Sequence, residues 1–223
     1  MRRVIVFAVT GTLLDPGALD PLFTQGFGSS MVRREWFGQM LRSMLVSTIT
    51  RQYPEFGKLA AAALAMTERR HALELEQSVR VAILDNLRAL PPFPEVAAGL
   101  ARLREAGRSL AALSNMPHEV VVAQLASAGI LEDFDEVLSA DAARRRKPAP
   151  EPYRMAAERL GVESRGMRLV SAHAWDIAGA THAGCATAFV QHAGAVLDPL
   201  FVRPDVVGAN LTEVVEGILQ AEA

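Results

Sequence analysis

One cysteine, Cys185, stands among 223 residues. That excludes an internal disulfide and any cysteine-rich metal site, and it points to a reducing compartment, with the cytoplasm as the expected location. Neither sign of charge dominates, with 23 Lys and Arg against 25 Asp and Glu, so no overall field would draw nucleic acid or an anionic membrane. Partner choice must come from a local site. No apolar run approaches the roughly 20 residues that a membrane-spanning helix needs. The apolar run Val4 to Val9 behind Met1-Arg2-Arg3 is too short for a secretory leader, and Gly11-Thr12-Leu13-Leu14-Asp15 supplies no small-x-small cleavage site. Internal repeats and low-complexity tracts are also missing. What is present is an apolar share of 50%, enough for a sizeable core in one α/β domain with a modest insertion.

Val4 to Val9 is rich in β-branched residues and ends at Thr10-Gly11-Thr12, the pattern of a central parallel strand delivering a tight loop at its carboxyl end. From Arg34 to about Leu90 the spacing turns helical, with Trp36, Phe37, Met40, Leu41, Met44 and Leu45 in one stripe that reads as core between helices. Further helices are expected over Leu59–Ala72 and Leu75–Leu90. Pro91-Pro92-Phe93-Pro94 breaks that run, which gives a helical insertion over 16–91 and an α/β core over 1–15 and 92–223. In the core the expected order is helix Glu95–Glu105, strand Ser109–Leu113, helix His118–Ala128, strand Glu136–Leu138 and helix Glu151–Leu160. It continues with strand Met167–Val170, a helix from Asp176, strands Thr187–Val190 and Asp205–Val207, and a helix from Leu211. Alternation of this kind makes a doubly wound parallel sheet, and ligands bind beyond the carboxyl ends of its strands. Four polar segments should converge there: Thr10-Gly11-Thr12, Ser114-Asn115, Arg146-Lys147-Pro148 and Ser171 to Asp176. Gly107, Gly129, Gly161 and Gly184 fall where helices should end in a left-handed residue.

These segments, in this order, resemble the haloacid dehalogenase superfamily, and within it the L-specific 2-haloacid dehalogenases. Leu113-Ser114-Asn115, Lys147-Pro148 with Tyr153 six residues on, and Ser171-x-x-x-Trp175-Asp176 carry the resemblance. It implies a Rossmann-like core with an inserted helical cap, no cofactor, a small carboxylate substrate or anion as ligand, and a homodimer paired through the cap. It also implies a reaction in which a carboxylate at position 8 displaces halide from C2 and forms an ester, which water then cleaves. Lys147 would neutralise the carboxylate and the developing charge. Thr12 and Ser114 would supply hydrogen bonds, with Ser114 where the family holds the substrate carboxylate, and Asn115 would help accept halide. Tyr153, Ser171 and Asp176 would order Lys147 and the hydrolytic water, and Trp175 would wall the pocket. An arginine of the cap would bind halide; Arg33, Arg34 and Arg42 are candidates. The phosphatases of the superfamily hold magnesium with acidic residues at positions that here are Ala8, Thr10 and Ser171, so no metal is expected.

Two departures stand against these matches. The family's first loop reads Phe-Asp, whereas this chain reads Phe7-Ala8, and a methyl group cannot form the ester. His173 replaces an asparagine between Ser171 and Trp175. Three readings follow: a dehalogenase scaffold whose nucleophile has been removed, a natural pseudoenzyme that binds without turnover, and an enzyme in which His173 or Asp176 activates water directly. Plainer roles also exist for several residues. Arg144, Arg145 and Arg146 read as a solvated turn, Ser114 and Asn115 as caps of the next helix, and Asp176 as a first-turn carboxylate favoured by the helix dipole. His173 reads as a hydrogen-bonding histidine with no second histidine spaced to join it, and Cys185 as a small packed residue.

Overall fold

The computed structural model describes residues 3–192 and 194–223. The chain divides into two compact units, Met1–Asp15 with Pro92–Ala223, and Pro16–Pro91.

The first unit holds β1 (Val4–Phe7), α5 (Val96–Glu105), β2 (Leu110–Ser114), α6 (His118–Ser127), β3 (Glu136–Ser139), α7 (Pro150–Arg159), β4 (Met167–Ser171), α8 (Ala174–His182), β5 (Ala186–Val190), β6 (Val206–Gly208) and α9 (Leu211–Ala221). All strand pairs are parallel, in the order β3-β2-β1-β4-β5-β6. The chain winds outward one way from β1 and then the other way from β4. The direction therefore switches between β1 and β4, where an α/β sheet opens a crevice at its carboxyl edge. Every residue of β2 and of β4 is buried, which explains why these strands read as unbroken apolar runs. The exceptions are the strand-end serines Ser114 and Ser171 and, in β4, Arg168, whose charge is met at the amino edge of the sheet. The four glycines at helix ends have φ of +69° (Gly107), +70° (Gly129), +67° (Gly161) and +90° (Gly184).

The second unit is helical: α1 (Asp20–Phe27), α2 (Val32–Ile49), α3 (Phe56–Arg70) and α4 (Gln77–Asn86). Phe23 stacks on Phe27 at 5.7 Å and leans on Trp36 at 5.3 Å. The indole nitrogen of Trp36 donates to Ala60 O at 3.0 Å, so the ring ties α2 to α3. Of the apolar stripe, Trp36, Met40 and Met44 are buried, while Phe37, Leu41 and Leu45 are half-buried. Helix α1 had no counterpart in the sequence reading. It spans two turns and contains Pro21 and Gly26, too few periodic residues to register as a pattern.

Candidate active site

The register of β1 pairs Phe7 with Ala112 on one side and Val170 on the other. One residue further, the Ala8 amide donates to Val170 O at 2.9 Å, so Ala8 lies in line with Leu113 of β2 and Ser171 of β4. Both neighbours serve one buried ion pair. Lys147 Nζ donates to Leu113 O at 2.9 Å and to Asp176 Oδ2 at 2.7 Å. Ser171 Oγ donates to the same carboxylate oxygen at 3.2 Å, and Tyr153 OH donates to Oδ1 at 2.5 Å. Burial and the adjacent Asp176 charge push the Tyr153 phenol well above its ordinary value, so it stays a donor. Lys147, Asp176, Tyr153 and Ser171 are all nearly inaccessible to solvent, the setting in which an ion pair must be fully hydrogen-bonded to persist. Cys185 packs in the same apolar cluster as Tyr153. Burial, then Asp176, pushes its thiol up to about 12, which leaves it unreactive.

The backbone of Lys147 is held independently. Asn115 Oδ1 accepts from Lys147 N at 2.8 Å and Asn115 Nδ2 donates to Lys147 O at 3.1 Å. This clamp fixes where the lysine leaves its turn. Ser114 Oγ accepts from Met116 N at 3.2 Å. Neither residue caps α6, whose N-cap is Pro117 with no side-chain cap bond. The plainer role considered for the pair is therefore replaced by a turn at the end of β2.

The loop after β1 is gripped from two directions. Thr12 Oγ1 accepts from Ala172 N at 3.0 Å, tying this loop to the segment after β4. His173 Nε2 bonds Thr10 O at 2.9 Å and His192 Nε2 bonds Thr12 O at 3.0 Å. A carbonyl only accepts, so each Nε2 carries the hydrogen, which makes a neutral ring's Nδ1 an acceptor. Burial depresses the His173 imidazole below its ordinary value despite the Thr10 carbonyl and Asp176, with Lys147 and His192 adding to the depression. Gly11, at φ +80°, passes so near this ring that a Cβ would stand 2.8 Å from His173 Cε1. Trp175 stacks on His173 at 5.3 Å and 17°. His192 stacks in turn on Phe93 at 3.8 Å.

His192 falls in a separate element from His173, yet both histidines hold the one loop, because β5 delivers its carboxyl end beside β4. One expectation is corrected here. Of the arginines read as a solvated turn, Arg144 is exposed and Arg145 half-buried, but Arg146 is buried. The chain dives inward there, with Ala149 N closing a turn on Arg146 O at 3.0 Å. Among the cap arginines, Arg33 Nε pairs with Asp20 at 2.5 Å and Arg42 Nη1 donates to Gln39 Oε1 at 3.0 Å; Arg34 is exposed.

A family model described as haloacid dehalogenase-like hydrolase matches residues 3–184. The chain belongs to the haloacid dehalogenase-like hydrolase family. It is 31% identical over 216 residues to the (S)-2-haloacid dehalogenase of Pseudomonas sp. (strain YL), covering 95% of this chain and 92% of that one. It is 30% identical over 213 residues to (S)-2-haloacid dehalogenase 2 of Pseudomonas sp. (strain CBS-3), covering 95% and 93%. Among solved structures, L-2-haloacid dehalogenase from Xanthobacter autotrophicus with chloropropionic acid covalently bound superposes with a TM-score of 0.90 at 26% identity, covering both chains completely.

The magnesium used by the family's phosphatases does not suit these residues. Position 8 is a methyl, Thr10 and Ser171 are hydroxyls, and both oxygens of Asp176 are taken by Lys147, Ser171 and Tyr153. A hard dication needs several oxygen ligands with formal charge, and among the described residues no group of three or more His, Cys, Asp or Glu could hold a metal. Nor is any helix of the described residues long and apolar enough to cross a membrane. Thr10 and Gly11 lie in the strand-end loop that the sequence marked, but neither was singled out as a candidate site residue, and His192 was not either. Only the glycine at a strand-end loop carried a readable signal.

Proposed function

We propose that this chain is a dehalogenase-type protein that binds small 2-substituted carboxylates such as 2-haloacids or 2-hydroxyacids, and that Ala8 stops it from turning them over. One observation carries the reading. The supports of a nucleophile at position 8, namely Lys147 with Asp176, Tyr153 and Ser171, are built and buried around a residue that has no nucleophile. The carboxylate chemistry comes from the relatives' names, and from the covalently bound chloropropionic acid of the Xanthobacter protein.

In this reading the ligand carboxylate meets the Ser114 hydroxyl, Lys147 offers it a hydrogen, and Trp175 and His173 wall the site. Thr12 holds the loop rather than the substrate. Asn115 uses its carbonyl oxygen and one amide hydrogen on Lys147, which makes it first a positioning residue and leaves one hydrogen for an anion. The helical unit is the cap. Its exposed Met31, Val46, Ile49, Met66 and Val81 suit pairing of two copies through the cap, which an isologous interface would cover. Sedimentation showing only a 24.0 kDa species at micromolar concentration would overturn the dimer. The buried free Cys185 suits the cytoplasm.

The test is halide release from an L-2-haloacid. The chain as given should release none above background while binding the acid by calorimetry. Ala8→Asp should restore release. Should ester accumulate on residue 8 of that variant, the hydrolytic step is blocked by His173, and adding His173→Asn should relieve it. If the double variant folds, binds the acid and yields neither adduct nor halide, the reading is wrong.

A further inference from the structure

Two buried donors near the end of β1 are not fully satisfied by the protein. Lys147 is 3% exposed, and its ammonium has three hydrogens, two of which go to Leu113 O and Asp176 Oδ2. Among the described residues the third has no acceptor. The Thr10 hydroxyl, two residues beyond Ala8, is buried and has no partner either. Buried donors without acceptors are rare because each has given up its hydrogen bond to water. One monoanion bound here would offer oxygens to both donors. Ala8, 2% exposed, differs from aspartate by a single carboxylate group, so the anion that fits is planar and of that size.

We propose that a small free monocarboxylate, formate in the protein as given, binds beside Ala8 against Lys147 and Thr10 and acts as the nucleophile that the chain lacks. This rests on the reading of the site as one for 2-haloacids. An oxygen lone pair of formate forms the bond to C2 as the carbon–halogen bond breaks, and halide leaves with the bonding electrons. The product is the 2-formyloxy acid, and the step requires no proton transfer and no oxidant. Water then attacks the formyl carbon and breaks the acyl carbon–oxygen bond, returning formate, a proton and the 2-hydroxy acid, whose hydroxyl oxygen came from formate.

Size gives the proposal a sharp edge. The Ala8 methyl and a formate carbon meet at a contact of about 3.5 Å, where an aspartate side chain has a bond of about 1.5 Å. Formate is therefore displaced by about 2 Å toward the substrate, and acetate brings a methyl group that collides with Ala8. Removing the Ala8 methyl should reverse the preference, so that Ala8→Gly accepts acetate.

The experiment follows halide release from L-2-chloropropionate at constant ionic strength with formate, acetate or no carboxylate, on the chain as given and on Ala8→Gly and Ala8→Asp. Formate should raise release by the chain as given to a plateau about tenfold or more above the carboxylate-free rate, and acetate should not. Ala8→Gly should respond to acetate, and lactate formed from 18O-labelled formate should carry the label. Lys147→Met, checked for folding by circular dichroism, should lose the response. If Ala8→Asp releases halide while formate raises release in neither the chain as given nor Ala8→Gly, this proposal fails and the dehalogenase reading stands. Label-free lactate in the presence of a formate effect would also overturn it, since formate would then be acting only as a base or a salt. If Ala8→Asp with His173→Asn also folds, binds the acid and yields neither adduct nor halide, both readings fall together.

Discussion

The two edges of the sheet each bury a carboxylate among cations, and they do so to opposite ends. At the amino edge, Glu222 at the end of α9 meets three arginines that lie at the starts of β1, β2 and β4. Its Oε1 accepts from Arg168 Nε at 2.8 Å and Arg3 Nη1 at 3.4 Å, and its Oε2 from Arg108 Nη1 and the Arg3 amide, both at 3.2 Å. Arg168 also reaches Asp205 at 3.0 Å and Thr187 O at 3.1 Å. Here the carboxylate is saturated, and the network pins the last helix to the sheet. At the carboxyl edge the carboxylate of Asp176 is shared with neutral hydroxyls, and its one cation among the described residues, Lys147, keeps a hydrogen to give. At the amino edge only Arg108 Nε is left without a partner among the described residues. The two edges of the one α/β sheet thus differ in how many cations share the buried carboxylate, three arginines at one and a single lysine at the other.

Glu222→Ala should have the largest effect. It leaves the buried Arg108 and Arg168 without their shared anion and should cost about 4 kcal/mol in urea denaturation, with no recovery on adding small anions. A loss below about 1 kcal/mol would break the contrast between the edges. Asp176→Asn should cost about 3 kcal/mol at low salt, by the same logic of a stranded buried charge. Part of that loss should return in formate, because an anion that binds only the folded state stabilises it. Equal response of the two variants to formate would show that the carboxyl edge is no more receptive than the other. Gly11→Ala should cost about 2 kcal/mol, since its φ of +80° strains an L-residue and its Cβ would strike the His173 ring. Thermal melts that match the parent chain would mean that His173 yields freely.

The smallest expected effect is in pH. His173 faces the Thr10 carbonyl, Asp176, Lys147 and His192, and its folded value lies below the ordinary 6.5. The unfolded chain therefore takes up a proton first as pH falls. The stability linked to this group is complete above about 6.5 and is lost as pH drops below it, by at most about 1.4 kcal/mol per pH unit for one proton. Denaturation midpoints followed from pH 7.5 to 5 should show this slope, and His173→Asn should flatten it.

Much of the architecture was legible because it rests on local rules. Apolar runs of four to six residues bounded by glycine-ended helices gave the strands, and Pro91-Pro92-Phe93-Pro94 marked the break after the helical run. Lys147, Tyr153, Ser171 and Asp176 could be named from spacing and resemblance, and the structure brings the four into one hydrogen-bonded cluster. Other residues carried no such mark. Arg146 looks like its exposed neighbour Arg144 until the chain turns inward, and His192 looks unrelated to His173 until β5 lies beside β4. Arg3, Arg108, Arg168 and Glu222 are scattered over almost the whole chain, and nothing local in the sequence links them. By itself the sequence determined the alternation of elements, the direction of the sheet, and the absence of a carboxylate at position 8, because periodicity and residue identity are properties of neighbours along the chain. Only the tertiary structure decided which charges are satisfied and which are left with a hydrogen to offer, because hydrogen bonds between distant segments form only once the sheet has brought their ends together.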